Sequence, residues 1–204
     1  RKAADSIVGR EDMFAREIFT WGSIAPDIDL NDIFVSSYFT PEEMFSITKL
    51  NSCRIYSEMV NAAESEGRRI AMADDLLEDF IVKANAAVSA KSNVAAELRF
   101  AHDVSVMPLA GLMGIEGCSE MWPLEEVWMH WMAADFTPMA CNLQMVFYRR
   151  PGSKDVLVKF LLNEQERLLN GVEPVSGPYY RWKDVRRHLS GRLDYAHKVN
   201  AANR

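Results

Sequence analysis

Only three of the 204 residues are cysteine, and Cys53, Cys118 and Cys141 stand far apart along the chain. That excludes a paired disulfide framework and gives no close metal-ligand spacing. Long apolar runs are missing too. The longest, roughly Val104 to Ile115, is interrupted by Pro108, Gly111 and Gly114 and is too short to span a bilayer. Positive charge is not in excess: 23 Lys and Arg stand against 29 Asp and Glu, a net charge of −6, which argues against general nucleic-acid binding. No repeat, low-complexity tract or block of like charge occurs, so neither a solenoid nor a long disordered tail is expected. The first residue is Arg1 rather than Met, with no basic head, apolar middle and small-residue cleavage site behind it. We therefore expect either a processed precursor or a piece of a longer protein.

What remains is ordinary globular material, 49% apolar and 25% charged, enough for one domain or a domain and a half. Residues 1–92 read as mostly helical. Thr40-Pro41-Glu42-Glu43 combines a capping hydroxyl, a proline suited to the first helical position and a glutamate placed to close a capping box. The helix it opens is expected to run to about Gly67. A second helix is expected over 73–90, where Leu76, Leu77, Phe80, Ile81, Ala84, Ala87 and Val88 trace one face. Shorter helices are expected over 11–21 and 30–39. Beyond residue 92 the pattern changes. Ala95 to Ala101 alternates apolar and polar residues and predicts a strand, and Val104 to Met113 predicts a short apolar helix stopped by Gly114. Residues 142–149 and 155–160 form a strand pair about Pro151-Gly152, and 180–198 an amphipathic helix with Trp182, Val185, Leu189 and Leu193 on one face. The segment 123–135 fits either state. The expected fold class is α/β or α+β, with a helical cap over 1–92 and an α/β core over 93–204.

The sharpest chemical feature is His102-Asp103, at the carboxyl end of the predicted strand, where open α/β sheets bind ligands. A histidine beside a bound phosphate supplies a hydrogen bond and positive charge. A neighbouring carboxyl kept protonated by that anion serves as a general acid. The alternative reading is structural, with the pair capping the helix that follows and Asp103 at its positive end.

The run LRFAHDVSVMPLAGLMGIEG, Leu98 to Gly117, resembles the C-terminal signature of the histidine acid phosphatases. More narrowly, it resembles the phytase-like, multiple inositol-polyphosphate phosphatase branch found in bacteria. The resemblance continues through Pro138 to Arg149, Asp155 to Glu164 and Pro178 to Val185, and is good over roughly 90–190. It implies a partial histidine-phosphatase core that hydrolyses phosphomonoesters, possibly inositol phosphates, through a phosphohistidine, with no cofactor or metal. His102 would bind phosphate, and Asp103 would protonate the leaving alkoxide and then assist attack by water. It also implies a periplasmic or secreted location.

One departure from the family pattern decides how far this carries. No Arg-His-Gly occurs in the chain, and His130, His188 and His197 have no such context. The phosphohistidine nucleophile and its arginines would therefore belong to a missing N-terminal half as partner, and activity of this chain by itself is not expected. Val104 stands where the family often has a polar residue. Two rivals remain: a non-catalytic phospho-ligand-binding protein, and a helical interaction module that would show an exposed apolar patch on helix 41–66.

Other features have competing readings. Arg99 either reaches the phosphate or pairs with a helix carboxylate, the latter favoured. Trp122, Trp128 and Trp131 are either a stacking box or core, with core favoured. Lys183, Arg186 and Arg187 read as a solvated face, Cys141 as a small core residue, and Asn142 as a supporting residue near the site.

Overall fold

The structure is a computed structural model that describes residues 11–25, 37–89 and 92–203. The chain divides into two compact units between Asn51 and Ser52. In the first, α1 (Glu11–Ile24) and the start of α2 (Pro41–Met59) are the helices among the described residues. Phe19 meets Phe39 edge to face, with ring centroids 6.0 Å apart. The capping box forms as its residues dictate. The Glu43 amide donates to Thr40 Oγ1 at 3.2 Å, and the Thr40 amide donates back to Glu43 Oε2 at 2.8 Å. Of the helix expected over 30–39, residues 30–36 lie outside the described residues, and 37–39 are a turn.

In the second unit the end of α2 buries Ser52, Ile55 and Tyr56. The helix stops at Met59, earlier than expected, because tertiary bonds take over there. Asn61 Nδ2 donates to the Ser119 carbonyl at 2.8 Å, and the Ala63 amide to the Trp122 carbonyl at 3.0 Å. A short turn over 63–65 and α3 (Arg68–Ala71) lead to α4 (Asp74–Ala87), which carries Asp74 and Asp75 in its first turn, where the helix dipole favours negative charge.

Next comes α5 (Asp103–Met113), apolar all round and buried continuously from Met107 to Met113. A helix of that kind belongs at the centre of a domain. Gly111 lets it approach α3: a Cβ there would lie 2.6 Å from Ile70 Cγ2 and 3.0 Å from the Cys118 carbonyl. Gly114 ends the helix at φ +95°, a left-handed conformation that glycine adopts freely. The unassigned stretch resolves into two single-turn helices, α6 (Val127–His130) and α7 (Ala133–Phe136).

The sheet is antiparallel. β1 (Leu143–Arg149) pairs with β2 (Val156–Leu162) from Leu143–Leu162 to Arg149–Val156, as the hairpin reading anticipated. The other edge of β2 carries β3 (Gln165–Arg167) and β4 (Tyr180–Arg181), two short strands with no counterpart in the sequence reading. Asn163 and Glu164, at φ 53° and 64°, turn β2 into β3, a two-residue turn that Asn suits. Along β2 Val158, Phe160 and Leu162 are buried and alternate with half-buried residues, so one face of the sheet lies on the core.

The closing helix, α8 (Trp182–Ala202), buries Trp182, Val185, Leu189 and Ala196 and packs on α3, α4, α5 and β2. The result is helices plus a small antiparallel sheet, an α+β arrangement. The strand expected over 95–101 is the main departure. The segment pairs with no strand among the described residues, and every residue in it is exposed. A strand gains its stability from a ladder, and no strand lies beside this segment among the described residues.

Candidate active site at the start of helix α5

His102 has extended backbone (φ −87°, ψ 164°) and is the last residue before α5. Its carbonyl accepts from the amides of Ser105 at 3.0 Å and Val106 at 3.3 Å, so the backbone performs the helix-entry role while the imidazole makes no capping bond. The side chain is exposed. Asp103 follows in the first turn, half-buried, with Oδ1 accepting from the Val104 amide at 2.9 Å. The two adjacent side chains thus stand at the positive end of an 11-residue helix. Peptide N–H groups and the helix dipole favour an anion at such an end.

A third side chain lies within electrostatic reach of Asp103. Cys141 lies close enough to Asp103 for the carboxylate to act on its thiol, whose pKa is raised first by burial and then by that negative charge. Cys141 is half-buried, so it belongs to the rim of this site rather than to the core, correcting the expectation from sequence. Ala140, just before it, is held at φ 59°, which an alanine adopts only when its surroundings require it. They are visible here: the Asn142 amide donates to Asn163 Oδ1 at 3.1 Å, the Asn163 amide donates to the Asn142 carbonyl at 2.9 Å, and Asn163 Nδ2 reaches the Phe136 carbonyl at 3.2 Å. Asn142 therefore anchors the loop beside Asp103 to the β2–β3 turn. No short-range signal brings Cys141 to Asp103. Only the path of the chain through α5 and β1 does.

Arg99 is turned onto α4. Its guanidinium pairs with Asp79, lies 3.0 Å from Glu97 Oε1 and sits 5.1 Å from the centroid of Phe80. Trp131 is buried in the core between Tyr56 and Phe136, with centroid distances of 5.3 and 5.4 Å. Trp122 is half-buried and stacks on His130 at 3.8 Å. Lys183, Arg186 and Arg187 are exposed on α8. Burial pushes the Cys118 thiol up to about 12, so it is inert as a nucleophile at neutral pH.

His188, on α8, serves structure. Its Nε2 lies 2.9 Å from the Met113 carbonyl, and Arg192 Nε donates to the Leu112 carbonyl at 2.8 Å. Both cap the far end of α5. Two open clefts of about 510 and 670 Å³ occur in the second unit, and neither is lined by His102 or Asp103. Among the described residues no cluster of His, Cys, Asp and Glu side chains is arranged to hold a metal ion, and no helix is long and apolar enough to cross a membrane.

No family model matches the chain, and no curated protein matches it. Solved structures do. The multiple inositol polyphosphate phosphatase of Bifidobacterium longum in complex with phosphate superposes with a TM-score of 0.73 at 22% identity, over 87% of this chain and 40% of that one. The same enzyme in complex with inositol hexasulfate gives a TM-score of 0.63 at 24% identity, over 72% of this chain and 32% of that one. The chain thus spans less than half the length of these neighbours, and what it shares with them at this identity is the fold of part of an inositol polyphosphate phosphatase.

Proposed function

We propose that this chain is the C-terminal portion of a histidine-type acid phosphatase, with a helical cap over 1–92 and the C-terminal half of the catalytic core over 93–204. The observation that carries the reading is the His102-Asp103 pair at the amino end of α5, in a fold shared with inositol polyphosphate phosphatases. Phosphomonoesters, inositol phosphates among them, are the substrates proposed. The family resemblance further suggests export from the cell.

The chemistry divides the work among few groups. A histidine nucleophile outside this chain attacks phosphorus as the ester oxygen departs. Asp103 gives that oxygen its proton, leaving an alcohol and a phosphohistidine. Asp103, now ionised, takes a proton from water as the water oxygen attacks phosphorus, which frees the nucleophilic histidine and returns phosphate. His102 donates to a phosphate oxygen throughout, and the amide end of α5 adds to the positive field.

The first measurement is the intact mass of the purified native gene product together with a phosphate-release assay on the same sample. Release by a product longer than these 204 residues is expected. Release by the 204 residues alone would sink the mechanism drawn here. In the longer product, Asp103→Asn is expected to slow esters with poor alkoxide leaving groups about 100-fold or more, and esters with good ones much less. Equal losses would remove Asp103 as proton donor. His102→Ala is expected to weaken inorganic phosphate binding by about 10- to 100-fold, since hydrogen bonds to charged groups contribute roughly 1.5–3 kcal/mol. Unchanged affinity in a folded variant would take His102 out of the site.

A non-catalytic phospho-ligand-binding role is the second reading. It is favoured by the engagement of Arg99 with Asp79 and Glu97, which holds that guanidinium on α4. The interaction-module reading gains less. Phe45 and Leu50 are exposed on α2 but, five positions apart, point roughly 140° from each other and make no single patch.

A further inference from the structure

The sequence holds a single Asn-Gly pair, Asn170-Gly171, and both residues are exposed in a turn. The Val172 amide closes that turn by donating to the Leu169 carbonyl at 3.4 Å, and Gly171 sits at φ +87°. Just before it the chain is stitched to the end of α5. The Glu116 amide donates to the Leu168 carbonyl at 2.9 Å, and the Asn170 amide to the Gly114 carbonyl at 2.8 Å. A Cβ on Gly171 would lie 3.2 Å from His188 Cε1, so the turn also rests against the ring that caps α5. The Asn170 side chain is engaged as well: Nδ2 donates to Ser119 Oγ and to Glu120 Oε1, each at 2.8 Å. The other carboxylate oxygen, Glu120 Oε2, is buried without a hydrogen-bond partner, so that carboxylate relies on Asn170. The Gly171 N–H is different. It finds no acceptor among the described residues.

We propose that Asn170 is a site of spontaneous covalent modification, deamidation, and that its product loosens the Gly114 end of α5. The Gly171 nitrogen loses its proton to solvent and bonds to Asn170 Cγ. The Cγ–Nδ2 bond breaks, and the side-chain nitrogen leaves as ammonia with a proton from solvent. Water then opens the cyclic imide at either carbonyl, leaving aspartate or isoaspartate. Glycine lets the ring close, because no Cβ crowds the attacking nitrogen. Charge supplies the consequence. A carboxylate then stands where Nδ2 donated to a carboxylate, so a hydrogen bond becomes a like-charge contact and Glu120 loses its partner. Isoaspartate also adds a methylene to the main chain, between the bond from the Asn170 amide to Gly114 and the turn closed by Val172. Both products therefore act on the stop of α5. No step needs phosphatase chemistry.

Incubating the purified protein in mildly alkaline buffer, folded and in urea, tests the chemistry. The peptide that contains Asn170 is expected to gain about 1 Da and to split into aspartate and isoaspartate forms. The folded protein should convert on the same timescale as the unfolded one. Conversion in urea with Asn170 intact in the folded protein overturns the proposal, since the bonds to Ser119 and Glu120 would then protect it. The consequence is read on Asn170→Asp without waiting for the reaction. The Gly114 and Ile115 amides, which close α5 onto the Ala110 carbonyl, are expected to exchange with deuterium about tenfold faster or more. The thermal midpoint should fall below that of Asn170→Ser, which loses the amide donors but adds no charge. Adding Glu120→Gln to Asn170→Asp should restore slow exchange, because a carboxamide can donate to the new carboxylate. Parent-like exchange in Asn170→Asp severs the link to α5 and overturns the proposal. So does a loss no greater than that of Asn170→Ser with no recovery from Glu120→Gln.

Discussion

His188 shows how much one side chain can set. Burial is the largest cause holding its pKa below the usual 6.5, Arg192 adds to the lowering, and the bond to the Met113 carbonyl opposes them. The ring is therefore neutral in the folded protein and donates from Nε2 to that carbonyl. The unfolded chain takes up a proton as pH falls through about 6.5, and the folded one resists it. The associated stability is fully present above that pH and is lost as pH falls toward the lowered folded value. Thermal midpoints measured from pH 8 to pH 5 should fall less steeply for His188→Gln, which keeps a donor but does not titrate. Parallel curves for variant and parent would mean that the ring is not buried as described. The sequence marked this histidine only as one without a nucleophile's context, because its partner lies 75 positions away.

At the scale of elements, legibility followed locality. The capping box at Thr40, the glycine stop at Gly114 and the hairpin about Pro151-Gly152 each use residues within a few positions of one another, and each formed. Thr40→Ala is accordingly expected to lower stability by about 1 kcal/mol in urea titrations followed by circular dichroism, with Thr40→Asn restoring most of it. No change in either variant would mean that the cap contributes nothing. Where distant groups decide, reading failed. The end of α2 is set by Ser119 and Trp122, and β3 and β4 are short strands recruited by the edge of β2. Residues 95–101 have the alternation of a strand, but alternation specifies a face and cannot supply a neighbour. The same division runs through the site. His102 and Asp103, adjacent in sequence, could be read together, while Cys141 and the Asn142–Asn163 clasp come from chain folded back over long separations.

For the whole second unit, α8 is the common element, since α3, α4, α5 and β2 all pack on it. Leu189, on α8, lies fully buried. Leu189→Ala should therefore destabilise the helices and the sheet together, by about 2–5 kcal/mol. Near-ultraviolet and far-ultraviolet signals should shift to lower urea in step. Separate transitions would show that the sheet folds independently of the helices.

Helix α5 is pinned at the end opposite the His102-Asp103 pair, by His188 and Arg192 reaching across from α8. Mechanically it is a post set in a foundation, with the His102-Asp103 pair mounted at its other tip. If this end of the helix receives a phosphate as proposed, little orientational freedom is left to lose, because the immobilising contacts were made elsewhere as the chain folded. Loosening those remote carbonyl clasps should blur the aim of His102 and Asp103 without altering either residue.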